Sequence, residues 1–538
     1  MTQRSDFEVN TAANPDFDAI VIGAGHNGLT CAAYLAGAGL RVKVIERRDQ
    51  IGGAALTEEF HPGFRNSVYS YSISLLNPKV IKDLELIQHG LTIMERPAGT
   101  LSLLDGDHLR LSRDDTQARR EIARFSKQDA ERIGAFEEQI SRVALVMRQI
   151  AMATPPDFGG GLRDLMHLAL AGNSMRKLSA ADQAVLAELM TKSLGDYLDG
   201  WFEGTALKGV LGLEGVIGNY ADPYHPGTAY VLLHHAFGEV NGRTGAWGIA
   251  RGGMGAITQA MAACARARGV TIATGAGVRE VIVKEGRAVG VVTDDDQETY
   301  AKVISANVHP QTLLLKFLDP ALLDADTYRR ISQYRSHSGT FRMNVALAEL
   351  PKFSSISEGG EEHFKGAIEI CPSLAYMSSA FADAESGGWS KAPIISMQVP
   401  STQDDSLSPP GQHVASLFCQ HFQRHLPDGR DWDTVKDEVA DLVIDTIDAY
   451  APNFRASVVG RQIKTPLDIE RDLNMVGGDI FHGALHLDQF YSLRPLPGHA
   501  AYEMPVKDVF LCGSGAHPGG GVSGLPGRNA AQAILRAS

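Results

Sequence analysis

Residues 18–53 constrain this chain more than any other stretch. Residues 19–22 are a short apolar run suited to a buried strand. Gly23, Gly25 and Gly28 follow in G-x-G-x-x-G spacing, residues 29–38 read as a helix of small residues, and Gly39 suits its C-terminal cap. Residues 41–45 form a second strand, and Glu46 ends it eighteen residues past Gly28. The sum is a βαβ unit with an acid at the tip of the second strand, the arrangement that holds a dinucleotide. Gly23 permits the tight turn, Gly25 leaves room for a pyrophosphate against the backbone, and Gly28 lets the helix pack on the strand. The helix N-terminus offers unpaired N–H groups to phosphate, and Glu46 can accept hydrogen bonds from a ribose diol.

Gly52 and Gly53 follow closely, then Ala54, Ala55 and Thr57. A double glycine here lets a second loop approach a long dinucleotide, which favours FAD over a nicotinamide cofactor. The aromatic and polar residues 64–74 either line the path of the flavin end or pack between core and surface.

At 538 residues the chain exceeds one simple core, so two or more domains are expected. Hydrophobic residues at 44% and charged residues at 21% fit an ordinary globular protein. A net charge of −13 argues against a nucleic-acid partner. Cys31, Cys264, Cys371, Cys419 and Cys512 are scattered without a C-x-x-C, which removes redox-dithiol and zinc-ribbon readings and fits a reducing compartment. Residues 1–15 read as a polar tail, without the apolar core of a secretion signal. With no run of ~20 apolar residues, the expected location is cytoplasmic, with a peripheral membrane contact left open.

Along the middle, residues 110–152 are charged and helix-prone, with Ile122, Phe125, Ile133, Phe136, Ile140 and Leu145 as one buried stripe. A Pro/Gly break at residues 154–161 and a second helical stretch at 162–198 make a helical insertion. His234 and His235 are adjacent; one of them either faces a substrate pocket or is a hydrogen-bonded core histidine. Gly252, Gly253 and Gly255 precede a helix ending at Gly269. Strands at 270–273, 278–283, 288–292 and 300–305 then give a β-meander joined to a βαβ layer. Val278 sits where a strand edge can bond an adenine through its backbone. Strands at 340–347 and 394–399 and a helix at 431–450 suggest a second, sheet-based domain. That helix turns Val435, Val439, Leu442, Val443 and Ile447 inward.

His482, His486 and Asp488 crowd a glycine-rich loop with three aromatics. They suit a pocket wall and lack the register for a metal, so no metal site is assigned. Residues 509–512 are a short strand running into a loop with glycines at 513, 515, 519, 520, 521 and 524. Pro526 then opens a helix. In an FAD protein its N-terminus would face the pyrimidine edge of the flavin, where a helix dipole favours reduction.

Together VIGAGHNGLTCAAYLAGAGLRVKVIE, GGMGAITQA and FLCGSGAHPGGGVSGLPGRNAA resemble the phytoene desaturase-like (carotenoid and retinoid oxidoreductase) flavoproteins, related more distantly to flavin amine oxidases. The resemblance spans nearly the whole chain. It implies an α/β fold: a Rossmann-like FAD-binding domain with parallel sheet and β-meander, a discontinuous mixed-sheet substrate domain and a helical insertion. The FAD-binding segments would be 16–75, 245–310 and 501–538, and the substrate domain 76–244 and 311–500. By analogy Gly23, Gly25, Gly28 and Glu46 hold the ADP half with Arg47 and Gly53 nearby, and Val278 meets the adenine. Gly513, Ser514, Val522 and Ser523 approach the ribityl chain and flavin.

The expected chemistry is hydride transfer from a substrate C–H to flavin N5, on a largely apolar small molecule. His235 and His482 are the candidate bases, and oxygen, a quinone or another acceptor reoxidises the flavin. A redox-neutral double-bond isomerase and a flavin-stabilised interaction protein with little catalysis are the alternatives.

Overall fold

A computed structural model describes residues 15–157, 161–356 and 361–537. Most of the expected polar tail, and residues 158–160 of the Pro/Gly break, lie outside the described residues. The chain opens with β1 (Phe17–Ile22), α1 (His26–Gly37) and β2 (Val42–Ile45). Next come β3 (Thr100–Leu103) and β4 (His108–Leu111). A helical layer follows: α2 (Asp115–Ile122), α3 (Lys127–Ala151), α4 (Leu162–Met175), α5 (Ala180–Thr191), α6 (Leu194–Trp201), α7 (Thr205–Val216) and α8 (Ala229–His235). Then come α9 (Gly255–Ala267), β5 (Thr271–Ala273), β6 (Val278–Lys284), β7 (Arg287–Thr293) and β8 (Glu298–Ala306). The last third holds β9 (Phe341–Leu347), β10 (Ala367–Ile370), β11 (Trp389–Gln398), β12 (His413–Phe422), α10 (Trp432–Asp448), β13 (Val458–Lys464), β14 (Val509–Leu511) and α11 (Leu525–Ala537).

The first sheet runs β5-β2-β1-β8-β7-β6, with β14 also paired to β8. β1 lies between β2 and β8 and is parallel to both. β8 is the junction of two patterns. Residues 298–300 pair antiparallel with β7, whereas residues 304–306 pair parallel with β14. Strands from the start, middle and end of the sequence therefore share one sheet, and α1 packs between α9 and α11 on it. Close packing is possible because α1 buries small residues, Cys31, Ala32 and Ala33, with no exposed surface. The helix begins earlier than the glycine spacing suggests. Gly25 is its extended N-cap, so Gly28 falls in the first turn.

The second sheet runs β13-β9-β12-β11-β10-β3-β4. Its two faces separate by strand alternation. Met343, Val345, Leu417, Ile395, Ile368 and Leu101 pack with Trp432, Val439 and Val443 of α10 in one apolar core. The alternate residues are buried too, and in one row four of five are polar. Arg342, Phe418, Ser396, Glu369 and Ser102 lie side by side in register across five strands.

The helical layer departs from the expected single stripe. The chain breaks after α2, and the Ser126 side chain accepts the Asp129 N–H to start α3 afresh. Ile133, Phe136 and Ile140 are buried, but Phe125 sits in the break at 37% exposed and Leu145 falls outside the buried register at 48%. Val143, Met147 and Ile150 continue the stripe instead. In α10, Ile444 is buried where Leu442 was expected. Among the described residues no helix is long and apolar enough to cross a membrane.

Candidate functional site

One cleft, about 1690 Å³ with its open mouth, is lined by residues from both sheets. Gly23, Gly25, Glu46, Arg47, Gly53 and Val278 line one end. Glu46 is buried, and each of its carboxylate oxygens accepts a backbone N–H, Oε2 from Ala24 at 2.7 Å and Oε1 from Arg48 at 2.9 Å. The acid therefore fixes the two loops that flank the cleft. Arg47 donates to the Arg471 and Asp472 carbonyls at 3.1 and 2.7 Å, tying this end to a distant loop.

The glycines form a cradle that side chains would fill. A Cβ on Gly25 would lie 2.9 Å from Asn307 Nδ2, and one on Gly53 would lie 3.2 Å from the Gly25 Cα. No side chain caps the N-terminus of α1, which leaves its first N–H groups for a ligand. Pairing a buried acid with an uncapped helix end and a glycine cradle fits the ADP half of FAD.

Three predicted residues stand behind the wall. A Cβ on Gly28 would meet the Gly23 carbonyl oxygen at 2.1 Å, so this glycine serves helix–strand packing. Gly513 packs on Asn307. The Ser523 carbonyl accepts the Asn77 N–H, and its hydroxyl accepts the Leu525 N–H at the start of α11. Ser514 and Val522 do line the cleft, Val522 with a left-handed φ of 56°. The Asn27 side-chain amide donates to Ser514 Oγ at 3.2 Å, so the first and last segments touch directly.

The far end is walled by Tyr71, Leu75, Ile217, Trp247, Phe418, Ile480 and Phe481. His235 and His482 both face it; His234, next in sequence, is buried with neither ring nitrogen bonded. His235 Nδ1 lies 2.7 Å from the Glu214 carbonyl oxygen. That oxygen only accepts, so Nδ1 carries a proton, and in the neutral ring Nε2 is the nitrogen with the free lone pair. Burial and the Arg494 charge push His482 down to about 3, which leaves a neutral, weakly basic imidazole. His486 packs toward His225 and Asp488 pairs with Arg335, so neither joins His482. Among the described residues no three His, Cys, Asp or Glu side chains are placed to hold a metal.

Two arginines that the sequence left unmarked organise this end. Arg494 is fully buried, and its Nη2 donates to the Phe481 and Ser514 carbonyls at 2.7 and 2.9 Å. It thereby holds the His482 loop against the C-terminal glycine loop. Arg342 donates to the Tyr69 carbonyl at 2.8 Å and lies over the Tyr71 ring at 4.5 Å. A lone arginine inside the apolar strand FRMNVAL was the available signal.

The flavin-containing amine oxidoreductase family model matches residues 28–341, more than half of the chain. A relative from Rattus norvegicus, pyridine nucleotide-disulfide oxidoreductase domain-containing protein 2, is 40% identical over 98% of this chain and 94% of its own. A limonene dehydrogenase polypeptide from Castellaniella defragrans is 27% identical, covering 96% of this chain and 94% of its own. Among solved structures, an oxidoreductase from Methanosarcina mazei superposes with a TM-score of 0.62 at 16% identity, over 96% of this chain and 99% of its own, a likeness of fold. With the cradle, the buried acid and the three-segment sheet, these matches establish that the chain belongs to the flavin-containing amine oxidoreductase family and that its cofactor is FAD.

Proposed function

We propose that this protein is an FAD-dependent dehydrogenase that desaturates a largely apolar small molecule. One observation carries the reading. A single cleft runs from the glycine cradle and Glu46 to a chamber walled by Tyr71, Trp247, Phe418 and Phe481. When bound, FAD supplies a two-electron acceptor, taking hydride from a substrate C–H at N5. Gly23, Gly25, Glu46, Arg47, Gly53 and Val278 hold the ADP half, and Ser514 and Val522 approach the other end, backed by Gly28, Gly513 and Ser523. The aromatic walls orient an apolar skeleton and exclude water. His235 accepts the proton lost from the neighbouring carbon at Nε2, while its Nδ1–H stays on the Glu214 carbonyl. His482 serves as a neutral wall. The relative named for limonene supports dehydrogenation of an apolar substrate. Leu165, Met166, Leu168 and Leu170, all exposed on α4, support a peripheral membrane contact from which such a substrate could be drawn. Oxygen, a quinone or another acceptor takes up the electrons.

Anaerobic mixing of the holoprotein with a panel of apolar compounds tests this reading. At least one compound should bleach the visible flavin band. His235→Ala should keep its flavin and slow that bleaching by roughly 10²-fold or more. Flavin that no compound reduces would defeat the dehydrogenase reading.

A further inference from the structure

The far chamber is apolar only at its surface. Behind Tyr71 and Trp247 lies a set of buried polar side chains with unused hydrogen-bonding atoms. Arg96 is 9% exposed, its Nε and Nη1 have no partner, and it makes no ion pair with a carboxylate within 4.0 Å among the described residues. Its guanidinium lies 5.3 Å from the centre of the Trp247 ring, a wall residue. Glu369 and Ser102, opposite each other on β10 and β3, are 2% and 0% exposed, and Glu369 Oε2 and Ser102 Oγ are also unpartnered. Both belong to the in-register row that reaches the cleft at Phe418 and Arg342. Glu214 Oε2 is a fifth atom without a hydrogen bond, 3.9 Å from His235 Nδ1. Tyr71 joins the set to the chamber, because Arg342, Glu214 and Arg96 all act on its phenol.

A buried guanidinium with idle N–H groups is costly unless something binds it. The chemistry of the set selects the ligand. Burial and the neighbouring Glu214 hold the Glu369 carboxyl well above the usual carboxylate range, so Glu369 is a neutral O–H donor. Arg96 remains a cation, and Ser102 adds a hydroxyl. The idle N–H groups of Arg96 and the hydroxyls of Ser102 and Glu369 are donors that suit an anion, while Glu214, the other acid of the set, faces His235 with Oε2 3.9 Å from Nδ1. We propose that the substrate carries a carboxylate at the end remote from the reacting carbon, and that Arg96, with Ser102 and Glu369, recognises it past Tyr71 and Trp247. This rests on the dehydrogenase reading, deepening it from an apolar molecule to an apolar acid.

The test needs no turnover, so it is separate from the bleaching assay. Oxidised holoprotein is titrated with two matched series: geranic acid, methyl geranate, geraniol and geranylamine, and retinoic acid, methyl retinoate, retinol and retinylamine. Flavin absorbance and tryptophan fluorescence report binding. The acid of at least one series should bind ten-fold or more tightly than its ester, alcohol and amine. Arg96→Met should weaken that acid by 10- to 100-fold and the ester by less than two-fold. Arg96→Lys should recover part of the acid preference, and Glu369→Gln, which keeps a neutral donor, should retain it. If Arg96→Met does not fold, the wild-type series and Arg96→Lys decide the matter. Equal affinity across head groups, tightest binding of the amine, no binding by any member, or equal weakening of acid and ester by Arg96→Met would overturn the proposal.

Discussion

Glu46 shows how much a single side chain can be asked to do. Its two oxygens hold the Ala24 and Arg48 amides, so it shapes both loops of the cradle before any ligand arrives. Charge-assisted hydrogen bonds of this kind contribute about 1.5–3 kcal/mol each. Glu46→Ala should therefore raise the dissociation constant for FAD at least ten-fold, with Glu46→Gln in between, as read by fluorescence titration of the apoprotein. Unchanged affinity in Glu46→Ala would remove the acid from the site. The place of Glu46 at the cleft was legible from residue type and spacing, but its two backbone partners were not. Gly28 was readable in the same way: the spacing assigned it to helix–strand packing, and a Cβ there would meet the Gly23 oxygen at 2.1 Å. Arg96, Arg342 and Arg494 carried no motif, and each takes its meaning from strands and loops far away in sequence.

At the scale of elements, the chamber depends on two loops held at a fixed distance. Arg494 supplies that distance by donating to Phe481 and Gly483 on one side and Ser514 on the other. Arginine is suited to this because its planar fork serves several carbonyls at once. Arg494→Met should lower stability by about 3 kcal/mol and loosen flavin retention. Thermal melts with and without added FAD would read both. A variant that melts as the wild type and keeps its flavin would show that the loops hold by other means. Secondary structure at this scale was largely readable, since the meander and the βαβ unit follow from period and glycine placement. The helical layer was less so. The restart of α3 at Ser126 depends on a local cap, and the exposure of Leu145 depends on which face its neighbours cover.

At the scale of the molecule, burial sets the response to acid. His234 and His421 are pushed down to about 3, and His26 and His517 to about 4, each mainly by burial. Each stays neutral in the folded chain but gains a proton on unfolding below about 6.5. Their stabilising contribution is thus complete above pH 6.5 and is lost as pH falls toward 4–3. At pH 5 the loss is about 2 kcal/mol for each such histidine. The melting temperature of the holoprotein should fall between pH 7.5 and pH 5, and a level profile across that interval would contradict the buried, neutral assignment. The polar face of the second sheet was invisible in sequence, because alternating polar residues ordinarily face solvent. Here residues 66–71 lie against them, through Asn66 and Ser67 on Asn344 and Tyr69 and Tyr71 on Arg342.

The central claim is that the beginning, middle and end of the chain close on one FAD. Hydrogen–deuterium exchange of apoprotein and FAD-loaded protein tests it most directly. Adding FAD should slow exchange together in residues 23–30, 46–54, 276–280 and 513–524. Protection confined to the N-terminal glycine turn, with the C-terminal loop unchanged, would contradict it.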